Sequence, residues 1–361
     1  ITVDDDLTMN GTVIVSGEGE NADDVIERTL EAGGAMALNG TVENAATGNQ
    51  ALTLSSDGAV TQSAAMTLDR LALAGSGDFT LDQTGNAIDL IAAGSTGNRI
   101  GALTLDNSQA IEIGSVGTRD GINAAGDLNI QTQTGDITVS QVIDTTSTTA
   151  NALVLNAGSD HVHETAFVDG TNTLGSNDNV IIAEGGGINV TAGRGVIYTG
   201  SIAGSTGLVE TQAGAADGVM TQGTGRFRYN ADETADFTDA TTWTALEATG
   251  LNAVYREQPL LEVTANGNII TYSDALPDAG ETNDYGTTVI GLQNGDTTAD
   301  IEGFDDIEWT TPSRVTEDNP NGVIPVSSAG FEAAGTYNLE VAEAIANKLG
   351  YATEVGGQLT I

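Results

Sequence analysis

Short apolar–polar–apolar triplets recur along the first two thirds of the chain. One series runs Phe79-Thr80-Leu81, Leu103-Thr104-Leu105, Leu128-Asn129-Ile130 and Leu153-Val154-Leu155, with starts 24, 25 and 25 residues apart. A second series interleaves with it at Ile88-Asp89-Leu90, Ile111-Glu112-Ile113 and Ile137-Thr138-Val139, with spacings of 23 and 26. Leu52-Thr53-Leu54 and Met66-Thr67-Leu68 read as earlier members; Val180-Ile181-Ile182 and Ile188-Asn189-Val190 read as later ones. Alternation with period two marks strands that bury one face. Between the triplets lie Gly75-Ser76-Gly77-Asp78, Gly94-Ser95-Thr96-Gly97, Gly126-Asp127 and Thr134-Gly135-Asp136. Gly and Asp supply the positive φ and the side-chain caps that tight corners need.

Strands of three or four residues do not make a stable free hairpin. Stacked coil upon coil, each pairs with the equivalent strand of the next coil. The pattern therefore predicts an all-β chain in which residues 1–225 form a right-handed parallel β-helix, a solenoid of 24–25 residues per coil. Nine such coils would rise about 45 Å at the usual strand spacing. An antiparallel β-sandwich shares the turn signals, but the near-constant spacing of like triplets favours the solenoid. Within the first coils, Asn21–Ala32 departs from the pattern, and Asp23 to Leu30 within it reads as a short helix with an Asp N-cap.

The style changes near residue 226. Arg226-Phe227-Arg228-Tyr229 brings aromatic and basic residues together, and Trp243 and Trp309 both lie beyond it. Residues 226–258 read as a connector that caps the solenoid, with one short helix expected over residues 243–248. An open solenoid end exposes a sheet edge, and a cap protects it from aggregation. Residues 259–361 read as a separate, small, β-sandwich-like module. Asn294-Gly295-Asp296 is a strong turn signal there.

Composition narrows the function classes. Aromatic residues make up only 4%, so the core must be built from Leu, Ile, Val and Ala. The 51 acidic and 10 basic residues give a formal net charge of −41, which repels a phosphate backbone and excludes nucleic acid as a partner. The wealth of Thr, Val and Ile argues against disorder, and a folded protein this acidic suits a salty or calcium-containing exterior. The absence of Cys excludes disulfides, Cys-ligated zinc and cysteine nucleophiles. No apolar run is long enough for a transmembrane helix, so membrane insertion is not expected. Residue 1 is not Met and no signal peptide pattern follows it, so the chain is expected to be a processed piece of something longer.

The Leu-Thr-Leu and Gly-Asp-Ile-Thr-Val triplets, with Gly186-Gly187-Ile188-Asn189-Val190, resemble the filamentous-haemagglutinin type of secreted bacterial β-helix. The last hundred residues resemble the MBG modules of large bacterial surface adhesins. The resemblance rests on Ile270-Thr271-Tyr272-Ser273-Asp274-Ala275-Leu276-Pro277, Gly291-Leu292-Gln293-Asn294-Gly295-Asp296, Ala334-Gly335-Thr336-Tyr337 and Leu359-Thr360-Ile361. Ser273 departs from the glycine usual in that family. The segment Glu340–Leu349 has helical composition with Gly350 as a stop, yet the family pattern implies two strands around a turn near Asn347. That family pattern also implies a further module or a processing point after Ile361.

Candidate chemistry is sparse. His161-Val162-His163 sets two imidazoles on one face of an extended segment, a zinc or nickel arrangement that lacks further His ligands. Asp4, Asp5 and Asp6, and Glu302 with Asp305 and Asp306, are candidate calcium ligands, although neither an EF-hand loop nor a calcium-roll repeat is present. No other cofactor is expected. Lyase or glycosidase chemistry would need paired carboxylates in a cleft, sugar platforms and cations, and the first 225 residues carry few Arg and no Lys. The outward Thr residues reverse the ice-binding pattern, and Asn319-Pro320-Asn321-Gly322 reads as a turn. The expectation is a secreted or cell-surface structural protein, not an enzyme: a segment of an adhesin or self-assembling fibre. Its expected partners are copies of itself by strand addition and a host or matrix surface, including glycans. A carbohydrate-active β-helix enzyme and a non-catalytic glycan-binding protein are the alternatives, the latter with Trp243 and Tyr255 at its surface.

Overall fold

The computed structural model describes residues 1–16, 25–45, 50–162, 178–210, 218–266, 268–269, 271–272, 286–301, 304, 307, 309, 326, 328–329, 331, 333–339, 341, 345 and 347–361. They are nearly all β; a 3-10 turn at Thr298–Asp300 is the one helical element among them. Two large sheets dominate, of thirteen and ten strands. Every strand pairing within both is parallel. The ten-stranded sheet runs Leu7–Met9, Met36–Leu38, Val60–Gln62, Phe79–Leu81, Leu103–Asn107, Leu128–Thr132, Leu153–Asn156, Arg194–Thr199, Gly250–Tyr255 and Phe227–Arg228.

The spacing of the first triplet series is the register of this ladder. Phe79 lies beside Leu103, Leu103 beside Leu128, and Leu128 beside Leu153. Its earlier rungs, Leu7–Met9, Met36–Leu38 and Val60–Gln62, do not stand out as triplets in the sequence. Leu52-Thr53-Leu54 and Met66-Thr67-Leu68 belong instead to the thirteen-stranded sheet. In that sheet the second series needs one correction: Ile113 sits beside Ile91, not Leu90. Period two breaks at Asp69-Arg70 and again at Asp89-Leu90, where two successive side chains turn away from the core. The break has a geometric cause. Met66–Ala74 pairs with Val42–Asn44 through its first residues and with Gln50–Ser56 through its last, so one strand serves two ladders.

Inward residues form one contiguous apolar core. Leu54, Leu81, Ile91, Leu103, Ile130 and Leu155 are each 0–1% exposed. Where strands leave a ladder, their amides need new partners. Asn86 fills such a gap: its Oδ1 accepts from Met66 N at 2.9 Å, and its Nδ2 donates to Leu81 O and Asp106 O at 3.0 Å. Corners also demand glycine. Gly75 has φ +85°, and a Cβ there would stand 2.1 Å from the Ser56 carbonyl oxygen of the neighbouring rung.

Two expected helices are strands or loops instead. Ile26–Ala32 pairs with Thr2–Val3 through two residues on one side and with Gln50–Ser56 through all seven on the other, and this pairing outweighs a weak helical preference; Asp23 and Asp24 lie outside the described residues. Residues 243–248 are irregular. The carbonyls of Thr244 and Ala245, which a helix would use internally, accept from the Arg228 guanidinium at 2.7 and 2.6 Å. Just upstream, Asp232, Asp236 and Asp239 each accept from the backbone N–H and hydroxyl of a Thr two residues on, which locks successive turns. This segment packs Phe237, Trp243 and Leu246 over Val196 and Val254, on the outer face of the last rungs.

Beyond it lie two three-stranded sheets. In one, Leu260–Ala265 is flanked by Thr287–Ile290, antiparallel, and Ala352–Gly356, parallel. In the other, Gln358–Thr360 lies between Asn268–Ile269, parallel, and Thr336–Asn338, antiparallel. Leu261, Val263, Leu339 and Leu359 are buried and join the same core as the long sheets. Asn294 and Gly295 carry φ of 50° and 76°, and Asp296 N donates to Gln293 O at 2.8 Å, the primed turn that Asn-Gly favours. It leads into the 3-10 turn and not into a returning strand. A turn at Lys348-Leu349 stands near the expected Asn347 position.

Ile130→Ala, in the middle of the ten-stranded sheet, is expected to cost about 2–5 kcal/mol of stability, and Thr80→Ala, on the solvent side, under about 1 kcal/mol. Chemical denaturation followed by circular dichroism measures both. Equal losses would contradict the inward–outward alternation.

Candidate functional site

The sequence-derived ligand candidates are placed apart. Asp4, Asp5 and Asp6 form the exposed corner between Thr2–Val3 and Leu7–Met9. Asp6 Oδ1 accepts from Ala35 N at 2.7 Å, so one of the three carboxylates already serves the turn of the next rung. Glu302, Asp305, Asp306 and His163 lie outside the described residues. His161 Nδ1 stands 2.7 Å from Asp178 Oδ2. Asp178 Oδ1 in turn accepts from Gly135 N, which ties the pair to a corner of the stack. Among the described residues no group of three or more His, Asp or Glu side chains is placed to hold a metal ion.

The most concentrated buried chemistry sits where the long sheet ends, at residues the sequence did not single out as a site. Arg256 is 1% exposed. It donates to Ala157 O at 2.7 Å, His161 O at 2.9 Å, Asn156 Oδ1 at 2.6 Å and Glu233 Oε2 at 3.2 Å. It thus pins the end of Gly250–Tyr255 to the end of Leu153–Asn156, a rung removed from it. Arg228 is equally buried and donates to four carbonyl oxygens, those of Gly225, Phe227, Thr244 and Ala245. Burial draws its pKa below the ordinary guanidinium value, and the charges of Asp296 and Glu247 oppose that shift. Both arginines cap carbonyls that no further strand reaches.

Beside Arg228, two phenols converge on one carboxylate. Tyr229 and Tyr351 donate to Asp296 Oδ2 at 2.9 and 2.8 Å. Asn294 Nδ2 donates to the Tyr229 hydroxyl at 3.2 Å, and Gln293 N to the Tyr351 hydroxyl at 2.9 Å. The ring centroids of Tyr229 and Tyr351 are 4.6 Å apart, and Tyr255 stacks on Tyr229 at 5.6 Å. Tyr229 N also donates to Leu349 O, which joins the end of the long sheet to the final third of the chain. Asp296 Oδ1 is buried without a hydrogen-bond partner. Burial raises the Asp296 pKa above the usual carboxylate range, and the hydroxyls of Tyr351 and Tyr229 pull against it. Burial likewise pushes the Tyr229, Tyr351 and Tyr255 phenols up, so they remain donors. The only sequence signals for this interlock were the aromatic and basic run at 226–229 and the Asn-Gly-Asp turn. Neither reveals that the turn delivers its Asp to buried tyrosines.

Chemically the cluster is a joint. Its phenols are neutral donors, its arginine is saturated by carbonyls, and Asp296 is 5% exposed, so no reactant reaches it. Scanned against family models, the chain matches none, and neither a curated protein nor a solved structure matches it.

Asp296 binds its proton more tightly folded than unfolded. Its contribution to stability is therefore full below the unfolded carboxylate pKa of about 4 and declines as pH rises through the raised folded value. Asp296→Asn removes that dependence. Its melting temperature is expected to improve relative to wild type as pH is taken from acidic to neutral. A difference that stays constant across that range would contradict a buried, proton-linked joint.

Proposed function

We propose that this chain is a structural segment of an extracellular bacterial surface adhesin or fibre. In this reading it is a right-handed parallel β-helix, residues 1–225, a cap at 226–258 and an MBG-like, β-sandwich-like module at 259–361. The observation that carries the reading is the in-register parallel ladder from Leu7–Met9 to Arg194–Thr199, with Gly250–Tyr255 of the cap laid on it as the next rung. Nine strands at ordinary spacing span about 38 Å. Such a ladder is a stiff spacer: every rung between its end strands is bonded on both sides, and its interior is filled with close-packed aliphatic side chains.

The ends of the ladder differ, and the difference supports an assembly role. One end is closed by Arg228, Arg256 and the Tyr–Asp joint. At the other, Thr2–Val3, Leu7–Met9 and Val13–Val15 each pair with a single strand among the described residues. An unpaired edge is a template for strand addition, here by a second copy of the chain. No catalysis is part of this reading; the work is to hold distance and shape outside the cell, where salt screens the charge of −41.

Negative-stain electron microscopy of the purified chain, with calcium and then with a chelator, tests the reading. Rods that join end to end are expected, and loss of joining in chelator would assign the Asp4–Asp6 corner to the junction. Round particles would contradict the rod. Isolated rods under both conditions would remove self-assembly from it.

A further inference from the structure

Between Ile111–Ile113 and Ile122–Ala124 the chain makes an excursion. Ser115–Val116 pairs with Arg119–Asp120 as an antiparallel hairpin, set against an otherwise parallel sheet. The hairpin lies on the outer face of that sheet. Its Val116 is 2% exposed and packs on Ala51, Ala72 and Ala92, small residues on three successive strands. Its tip, Gly117, reaches the Glu27 side chain on Ile26–Ala32, where a Cβ would stand 2.3 Å from Glu27 Oε1. The three alanines make a seat for Val116, and the hairpin becomes a wall standing on the sheet.

One side of this wall bounds an open groove of about 660 Å³, whose other side is formed by the corner turns of the neighbouring rungs. Two guanidinium groups line it. Arg99 is engaged: it donates to Ala124 O at 3.2 Å, to Asp144 O at 3.0 Å and to Asp144 Oδ2 at 2.5 Å. Asp57 is engaged as well, because its Oδ1 accepts from Ser76 N and Oγ at 3.1 and 3.2 Å. The Arg119 side chain, in contrast, has no hydrogen bond or ion pair among the described residues. In a chain with 51 carboxyl residues and 10 basic ones, a guanidinium left open toward a polar groove is conspicuous. The rest of the lining includes the hydroxyls of Ser55, Ser76, Ser95 and Thr118 and the amide of Asn98, with small residues between them.

We propose that this groove binds a sugar bearing a single carboxylate, a uronic acid at a chain end or on a sparsely charged glycan. Arg119 offers the planar fork that matches a carboxylate with two parallel hydrogen bonds. The hydroxyl and amide groups opposite have both donors and acceptors for ring hydroxyls. The charge of −41 sets the upper limit on the ligand: a dense polyanion is repelled, while one carboxylate held against one guanidinium is not. Among the described residues no aromatic ring lines the groove, so recognition rests on Arg119. This site would give a rod-like spacer its own point of attachment, and it stands whether or not the chain polymerises.

The test is calorimetric titration of the full chain with glucuronate, glucose and inorganic phosphate. Glucuronate is expected to bind saturably and about tenfold tighter than either of the others. Arg119→Gln is expected to weaken glucuronate about tenfold with an unchanged melting temperature, and Arg119→Lys to fall between, since an ammonium keeps the charge but loses the fork. Asn98→Ala, on the opposite wall, is expected to weaken glucuronate by a few-fold, roughly one hydrogen bond, and serves if the hairpin variant unfolds. Absence of saturable glucuronate binding overturns the proposal. So does phosphate binding as tightly as glucuronate, or undiminished binding in the Arg119→Gln and Asn98→Ala variants.

Discussion

The parallel hydrogen-bond ladder between equivalent rungs is the constraint on which the rest depends. Rungs of two to nine residues are too short to persist alone. Each is held only because the strands before and after it satisfy its backbone and seal its inward side chains. That mutual dependence explains the composition. The interior is a column of Leu, Ile and Val, with Phe79 the large ring among the early rungs, since a narrow stack of short rungs leaves little room for rings. It also explains the corners, where Asn86 and Gly75 solve local problems of hydrogen bonding and close approach.

A ladder has ends, and the chain treats its two ends differently. At the far end, buried arginines cap carbonyls, and the carboxylate of Asp296 gathers two tyrosines from segments far apart in sequence. A buried carboxylate with one unpartnered oxygen is a poor stabiliser in itself; its value lies in specifying which surfaces meet. At the near end, strands with one partner each leave backbone groups available. The asymmetry gives the molecule a direction, and an assembly built from it would inherit that direction.

Much of this was legible in the sequence, for physical reasons. The Phe79, Leu103, Leu128 and Leu153 rungs were visible because their period equals the length of chain between equivalent positions. The earlier rungs were hidden: Met36-Ala37-Leu38 and Val60-Thr61-Gln62 alternate weakly, and the steps from Leu7 to Met36 and from Val60 to Phe79 are 29 and 19 residues. The helix expected at residues 23–30 failed because local preference carries little weight against two flanking strands. The helix expected at 243–248 failed because a distant arginine claimed its carbonyls. The sites were less legible than the fold. A ligand groove and a buried joint depend on residues such as Arg119 and Asp296 that become neighbours of their partners only through the stacking, and no local motif announces them.

Spin-label distances along one ladder test the central claim most directly. The chain has no Cys, so paired substitutions label only the chosen positions. Thr8, Ala37, Thr61, Thr80, Thr104, Asn129 and Val154 are successive neighbours in register. With Thr8→Cys as the fixed point, the backbone separation is predicted to be about 24 Å to Asn129 and about 29 Å to Val154, one strand spacing more. A separation that grows by one spacing per rung establishes the stack. Separations that fail to grow along the series, as in a folded-back antiparallel sandwich, would contradict it.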